Sequence, residues 1–226
     1  MLRAIIFDFN GVIVDDEPIH LKLFQQVLAE QGLPLREEDY YRVYIGMDDR
    51  ECFATVLAEH GRPADSETIA ALVRRKAALY QVAIRDHLTL FPGAAEFVRA
   101  AATPYPLAIA SGALRAEILI ILEQAGLRDA FRAIVSAEDV TRGKPDPEGY
   151  EKALAALNAA GVHPPLEAAE CLVVEDTVAG IEAAHAAEMS CLAVTNSYPP
   201  EALGAAELVV GSLAEVTLAR LEALFR

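Results

Sequence analysis

The sequence is short of positive charge. Its 226 residues carry 19 Lys and Arg against 34 Asp and Glu, a formal charge of −15. That deficit argues against a protein that wraps nucleic acid, which needs a basic footprint. It equally disfavours adhesion to anionic membrane surfaces. An anionic substrate would need a site with its own cations, from a metal, Lys, Arg or helix N-termini. Cysteine is scarce as well. Cys52, Cys171 and Cys191 are odd in number, far apart and part of no CxxC or Cys/His zinc pattern. They are expected to be buried, reduced thiols. No stretch approaches the ~20 apolar residues of a membrane span. The opening run is broken by Asp8 after a few residues, too early for a signal peptide. A soluble cytoplasmic protein is expected, with no nucleic-acid or membrane partner. There are no internal repeats, and no low-complexity segments beyond alanine-rich helices.

Apolar residues are plentiful, at 54%, enough for a buried core. They come in short runs: Ala4–Phe7, Leu107–Ala110, Ala133–Val135, Leu172–Val174, Leu192–Val194 and Leu208–Val210. Each is too short for a helix and apolar throughout, as in a strand buried on both faces. Helical patterns separate them at 93–102, 113–125, 147–160 and 177–187. This alternation predicts an α/β fold with a parallel sheet covered on both sides. One region breaks the rhythm. Residues 17–87 show only helical patterns: Pro18–Gln31 ending at Gly32, Asp48–His60 ending at Gly61, and Ser66–Arg85 with Ser66 as the N-cap. That is too long for a crossover and reads as an inserted helical subdomain. The expected division is a core of 1–16 plus 88–226 and an insert of 17–87.

Ligands of doubly wound sheets bind at the carboxyl ends of the strands, near the point where strand order reverses. The residues just past each strand are therefore the candidates. Asp8-Phe9-Asn10-Gly11 follows the first strand, and Ser111-Gly112 the second. Gly143-Lys144-Pro145-Asp146-Pro147 comes after the third. Glu175-Asp176-Thr177, and then Gly180, follow the fourth. A carboxylate at the end of an apolar strand is costly unless compensated. Three of them, Asp8, Glu175 and Asp176, would repel one another on one sheet edge. A hard divalent cation resolves that, and Mg²⁺ is the usual choice beside phosphate. Ser111 offers a hydroxyl and the N–H groups of a helix start, an anion seat. Lys144 offers a point charge. Nucleophile, metal, anion cradle and cation together make a phosphoryl-transfer layout.

These motifs, with Glu17-Pro18-Ile19-His20 and Leu90-Phe91-Pro92-Gly93, resemble the haloacid dehalogenase (HAD) superfamily over nearly the whole chain. The resemblance is to its branch of small phosphatases and beta-phosphoglucomutases. It implies a Rossmann-like α/β core with an inserted α-helical cap. It implies Asp8 as the nucleophile, forming an aspartyl-phosphate, with Ser111, Gly112 and Lys144 on the phosphoryl group. It implies Mg²⁺ held by Asp8, the backbone carbonyl of Asn10, Asp176 and Glu175, the last directly or through water. The helical insert would be a mobile cap that excludes water and sets specificity, which favours a monomer or at most a weak dimer. His20, Arg50 and Lys76 are the cap-side candidates for contacts with a small phosphorylated metabolite. For Arg50 and Lys76, plain surface solvation is an equal alternative.

One position departs from the family. The phosphatase pattern is Asp-x-Asp, and the second carboxylate protonates the leaving oxygen and then deprotonates the attacking water. Here it is Asn10, which cannot titrate. Three readings stay open. The substrate's leaving group needs no proton, as in an acyl or aryl phosphate. Another group substitutes, with His20 and Glu17 nearest in sequence. Or activity is weak and the protein is a non-catalytic phosphometabolite binder. A phosphosugar mutase of the beta-phosphoglucomutase type is the other alternative. It would use the missing carboxylate twice per cycle, so Asn10 argues against it. Phosphatase chemistry comes first.

Overall fold

The computed structural model describes residues 1–225 and divides the chain into two compact units, Met1–Asp15 with Thr89–Arg226, and Asp16–Leu88. The first is an α/β unit. Its strands are β1 (Ala4–Phe7), β2 (Leu107–Ala110), β3 (Phe131–Val135), β4 (Cys171–Glu175), β5 (Ser190–Val194) and β6 (Leu208–Val210). They form one sheet in the order β3-β2-β1-β4-β5-β6, with every pair parallel. Strand order reverses around β1, so the carboxyl ends of β1 and β4 lie side by side at the switch point. Phe7 pairs with Val174 in register, which sets Asp8 beside Glu175.

Alternate residues of a strand point to opposite faces, and both faces of β1 are covered. Ile6 joins the cluster of Val173, Ala108, Tyr150 and Leu157, the last two from the helix Glu148–Ala159. Phe7 meets Phe97 of the helix Ala94–Ala101 edge-on, with ring centroids 6.0 Å apart, and Phe131 at 5.9 Å. β1, β2 and β4 are buried throughout, which is why they read as apolar runs without alternation.

Three sequence expectations need correcting. The edge strands are not buried on both faces. β3 begins at Phe131, ahead of its apolar run, and exposes Arg132, while β6 is half-buried. An edge strand has a neighbour on one side only. The N-cap of the helix Ser66–Asp86 is Asp65, not Ser66: its carboxylate accepts from Thr68 N at 2.9 Å. The helix after Ser111 begins at Arg115, so Ser111 lies in a loop and its Oγ accepts from Ala113 N at 3.2 Å.

The second unit is wholly helical: Glu17–Glu30, Asp49–Glu59 and Ser66–Asp86, with a short Glu37–Asp39 turn running into a π-helical Tyr40–Tyr44. Gly32 and Gly61 take positive φ just past their helices, as expected. Phe24 packs against Phe53 and Tyr40 at 5.0 and 5.8 Å. Within this core sits a fully buried lysine. Lys76 Nζ lies 2.5 Å from Asp49 Oδ1, 2.6 Å from His20 Nδ1 and 4.3 Å from the Phe24 ring centroid. An ammonium can only donate, so His20 accepts through Nδ1 and its Nε2–H donates to Asp16 at 3.0 Å. Tyr80 donates to the same carboxylate. Among the described residues no helix is long and apolar enough to cross a membrane.

Ile6 is wholly buried in the central strand. Ile6→Ala is expected to destabilise the protein by about 2–5 kcal/mol, while Arg132→Ala on the exposed edge stays within about 0.5 kcal/mol. Denaturant midpoints of the two variants check this; equal shifts would contradict the assignment of centre and edge.

Candidate functional site

The site is built from chain segments that leave the sheet at one edge. After β1 the backbone turns back on itself: Gly11 N donates to Val14 O at 3.0 Å, and Ile13 N to Phe9 O at 2.8 Å. Gly11 takes φ +77°, and a Cβ there would lie 2.0 Å from Asp176 Oδ2. Glycine is needed for both reasons. Asp8 N donates to Val174 O at 2.9 Å, which ties the end of β1 to β4. Asn196 Nδ2 donates to Gly11 O at 2.6 Å and pins the turn from the far side.

Lys144 reaches in from the loop after β3. Its Nζ is 2.9 Å from Asp8 Oδ1 and 2.5 Å from Glu175 Oε1, and it lies 5.3 Å from the centre of the Tyr150 ring. Glu175 is saturated. Oε1 accepts from Lys144 and from Tyr150 OH at 2.6 Å. Oε2 accepts from Asp176 N, Thr177 N and Thr177 Oγ1 at 2.9, 3.1 and 3.0 Å. Gly180 makes room for it, since a Cβ there would lie 1.9 Å from the Glu175 carboxyl carbon. Asp176 is held differently. Ser197 Oγ donates to its Oδ2, and its Oδ1 is buried with no hydrogen-bond partner.

Charge follows from this geometry. Burial, with repulsion from Glu175, raises the Asp8 carboxyl to about 6 against the pull of Lys144. Burial and repulsion from Glu175 and Asp8 raise Asp176 well above its ordinary range. Burial opposes the ionised form of Glu175 too, but Lys144 and the hydrogen bonds outweigh it and hold the carboxyl low. Lys144 is likewise held charged: burial works against it, and Asp8 and Glu175 more than reverse that. Asp8, Glu175 and Asp176 each place a carboxylate oxygen within 4.8 Å of the others. Three carboxylates against one ammonium leave an excess of negative charge, and Asp176 Oδ1 lacks a donor. This donor set fits a hard divalent cation with oxygen ligands.

Asp8, Lys144, Glu175 and Asp176 thus meet as one cluster. Asn10, Ser111 and Gly112 lie at the same sheet edge, with Ser111 N donating to Val135 O at 3.0 Å. His20, Arg50 and Lys76 belong to the helical unit. Arg50 is exposed, whereas Lys76 is not a solvated surface charge: Asp49, His20 and the Phe24 ring enclose it. Sequence reasoning missed Tyr150, Asn196 and Ser197. Asn196-Ser197 follows β5, where the carboxyl-end rule applies as it does to the other strands. Tyr150 had no such signal, because a tyrosine on an apolar helix face reads as core. The three cysteines are buried and free, and burial pushes the Cys171 thiol up to about 12.

The switch point of the parallel sheet thus gathers a buried acid cluster and a lysine. Residues 2–188 match the family described as haloacid dehalogenase-like hydrolase, and the chain belongs to that family. It is 30% identical over 221 residues to the chloroplastic 5-amino-6-(5-phospho-D-ribitylamino)uracil phosphatase of Arabidopsis thaliana, covering 97% of this chain but only 57% of that longer protein. It is 31% identical to protein CbbY of Rhodobacter capsulatus, covering 87% of each. The crystal structure of beta-phosphoglucomutase from Clostridium difficile superposes with a TM-score of 0.86 at 22% identity, covering 100% of this chain and 97% of that one, a likeness of fold.

Two predictions follow from the packing and charge. Gly180→Ala forces Glu175 to move, at about 1–3 kcal/mol, and is expected to reduce the rise in Tm on adding Mg²⁺; an unchanged rise would mean that Glu175 does not organise the site. The second concerns pH. Asp8 titrates at about 6 when folded and near its ordinary 3.8 when unfolded. Between those values the folded state holds a proton that the unfolded state has lost, so stability falls as pH rises. With EDTA present, Tm is expected to decline over that window. Asp8→Asn flattens the decline, and a slope unchanged by that substitution contradicts it.

Proposed function

We propose that the protein is a Mg²⁺-dependent phosphatase that hydrolyses a small phosphorylated metabolite through phospho-Asp8. The observation that carries this reading is the pairing of Asp8 with Lys144 at 2.9 Å, beside the buried, unsatisfied Oδ1 of Asp176. A nucleophilic carboxylate, a cation to meet the phosphoryl group and an open ligand atom then share one sheet edge. Asp8, Asp176 and the backbone carbonyl of Asn10 would hold the metal, with Glu175 adding charge beside them. When bound, Mg²⁺ supplies charge neutralisation for the phosphoryl oxygens and the nucleophile.

The remaining steps belong to the chain. Lys144 keeps Asp8 ionised and aligned, and with the Ser111 hydroxyl and the Gly112 N–H it receives the phosphoryl group. Glu175 holds Lys144 in place, because its five hydrogen bonds leave it no freedom to move. Substrate selection is assigned to the helical unit. The named phosphatases among the relatives support the reaction class. Asn10 weighs against a mutase, which needs proton transfer at that position in both halves of its cycle.

The test is phosphate release from a panel of phosphorylated metabolites with Mg²⁺, comparing the native chain with Asp8→Ala. Release is expected to fall to background in the variant. Equal rates would remove Asp8 from the chemistry, and with it this proposal.

A further inference from the structure

The turn after β1 is fully assembled, yet it presents an amide where the chemistry calls for an acid. Asn10 is joined to Val14 by a bridge, Gly11 O accepts from Asn196, and the turn's three backbone hydrogen bonds are in place. The cluster around it is equally complete: Lys144 bridges Asp8 and Glu175, and Ser197 holds Asp176. The scaffold around Asn10 is therefore fully formed with an amide at this position. The two substitutes nearest in sequence have work elsewhere. Glu17 accepts from Tyr40 OH at 2.5 Å, and His20 is bonded between Lys76 and Asp16. Lys144 is engaged by two carboxylates, Asp8 and Glu175. The site can bind and attack, but it has no assigned side chain for moving a proton.

We infer that this enzyme favours phosphates whose leaving group departs without a proton, acyl phosphates above all, and that phospho-Asp8 accumulates during turnover. The inference rests on the phosphatase reading and narrows it to a substrate class. In the first step an Asp8 oxygen bonds to phosphorus as the bond from phosphorus to the leaving oxygen breaks. The electron pair leaves on that oxygen. From an acyl phosphate the leaving group is a carboxylate, stable unprotonated at neutral pH. From a sugar or other alkyl phosphate it is an alkoxide, which must be protonated, and Asn10 cannot titrate. In the second step water attacks the phosphorus of phospho-Asp8, the bond to the Asp8 oxygen breaks and the carboxylate is regenerated. The water's proton passes to phosphate oxygens or solvent, because Asn10 cannot take it. Proton transfer by a positioned side chain is typically worth about 10²–10⁴-fold. Both alkyl-phosphate cleavage and phosphoenzyme hydrolysis should be slowed on that scale, while attack on an acyl phosphate is spared.

The experiment uses the full chain with Mg²⁺ and three probes: acetyl phosphate, p-nitrophenyl phosphate and glycerol phosphate. After an acid quench, mass spectrometry reads whether the Asp8 peptide carries a phosphoryl group. The native chain is expected to show a burst of acetate release, a phosphorylated Asp8 peptide, and a kcat/KM for glycerol phosphate at least about 10²-fold below that for acetyl phosphate. Asn10→Asp is expected to raise glycerol phosphate turnover by about 10²–10⁴-fold and to abolish the accumulated phosphopeptide. If the native chain hydrolyses glycerol phosphate as fast as acetyl phosphate with no phosphopeptide, the inference is overturned while the phosphatase reading stands. If neither the native chain nor Asn10→Asp releases phosphate from any probe, both are overturned.

Discussion

Lys144 sits between two carboxylates, and the arrangement of the site depends on that placement. Asp8 ends β1 and Glu175 ends β4, neighbouring strands whose register brings the two acids side by side. A single ammonium contacts both, at 2.9 and 2.5 Å, over the ring of Tyr150. Without it two buried anions would face each other in a region of low dielectric, where repulsion is strong. With it they divide into different roles. Glu175 is locked by five hydrogen bonds and serves as a fixed counter-charge. Asp8 and Asp176 keep the proton affinity that burial imposes, which a divalent cation would relieve. Two glycines complete the arrangement by absence, since a Cβ at Gly11 or Gly180 would overlap a carboxylate.

Against this completeness, Asn10 is the informative residue. Its surroundings are fully formed: Lys144 bridges Asp8 and Glu175, and Ser197 holds Asp176. On the proposed reading the cluster supplies a nucleophile and a cation for a phosphoryl group, while position 10 carries an amide that cannot titrate. Under the inference drawn above, the balance of chemistry shifts from proton transfer to leaving-group quality.

The helical unit solves a related problem by other means. Lys76 is buried, and Asp49, His20 and the Phe24 ring surround its Nζ. From sequence it reads as one more basic residue on a long amphipathic helix, equally a surface charge or a ligand contact. Its burial depends on where three helices meet. The same reason hid Tyr150, which donates to a residue 25 positions away, and Ser197, which holds one 21 positions away. The edge strands were misread for a cognate reason: an apolar run shows that a strand can be buried, not how many neighbours it has.

The amino-acid sequence by itself determined the strands, the helical insert and the polar residues that end each strand, because these depend on local pattern and on the cost of placing charge after an apolar run. It determined the chemistry on offer too, including the acid missing at Asn10, since a side chain's ability to titrate is a property of its atoms. Only the tertiary structure decided which charges meet. Strand order places β4 rather than β3 beside β1, and so brings Glu175 against Asp8. Lys144 to Glu175, Tyr150 beneath both and Ser197 on Asp176 are contacts between residues distant in the chain. They follow from how the sheet is wound, which no local pattern encodes.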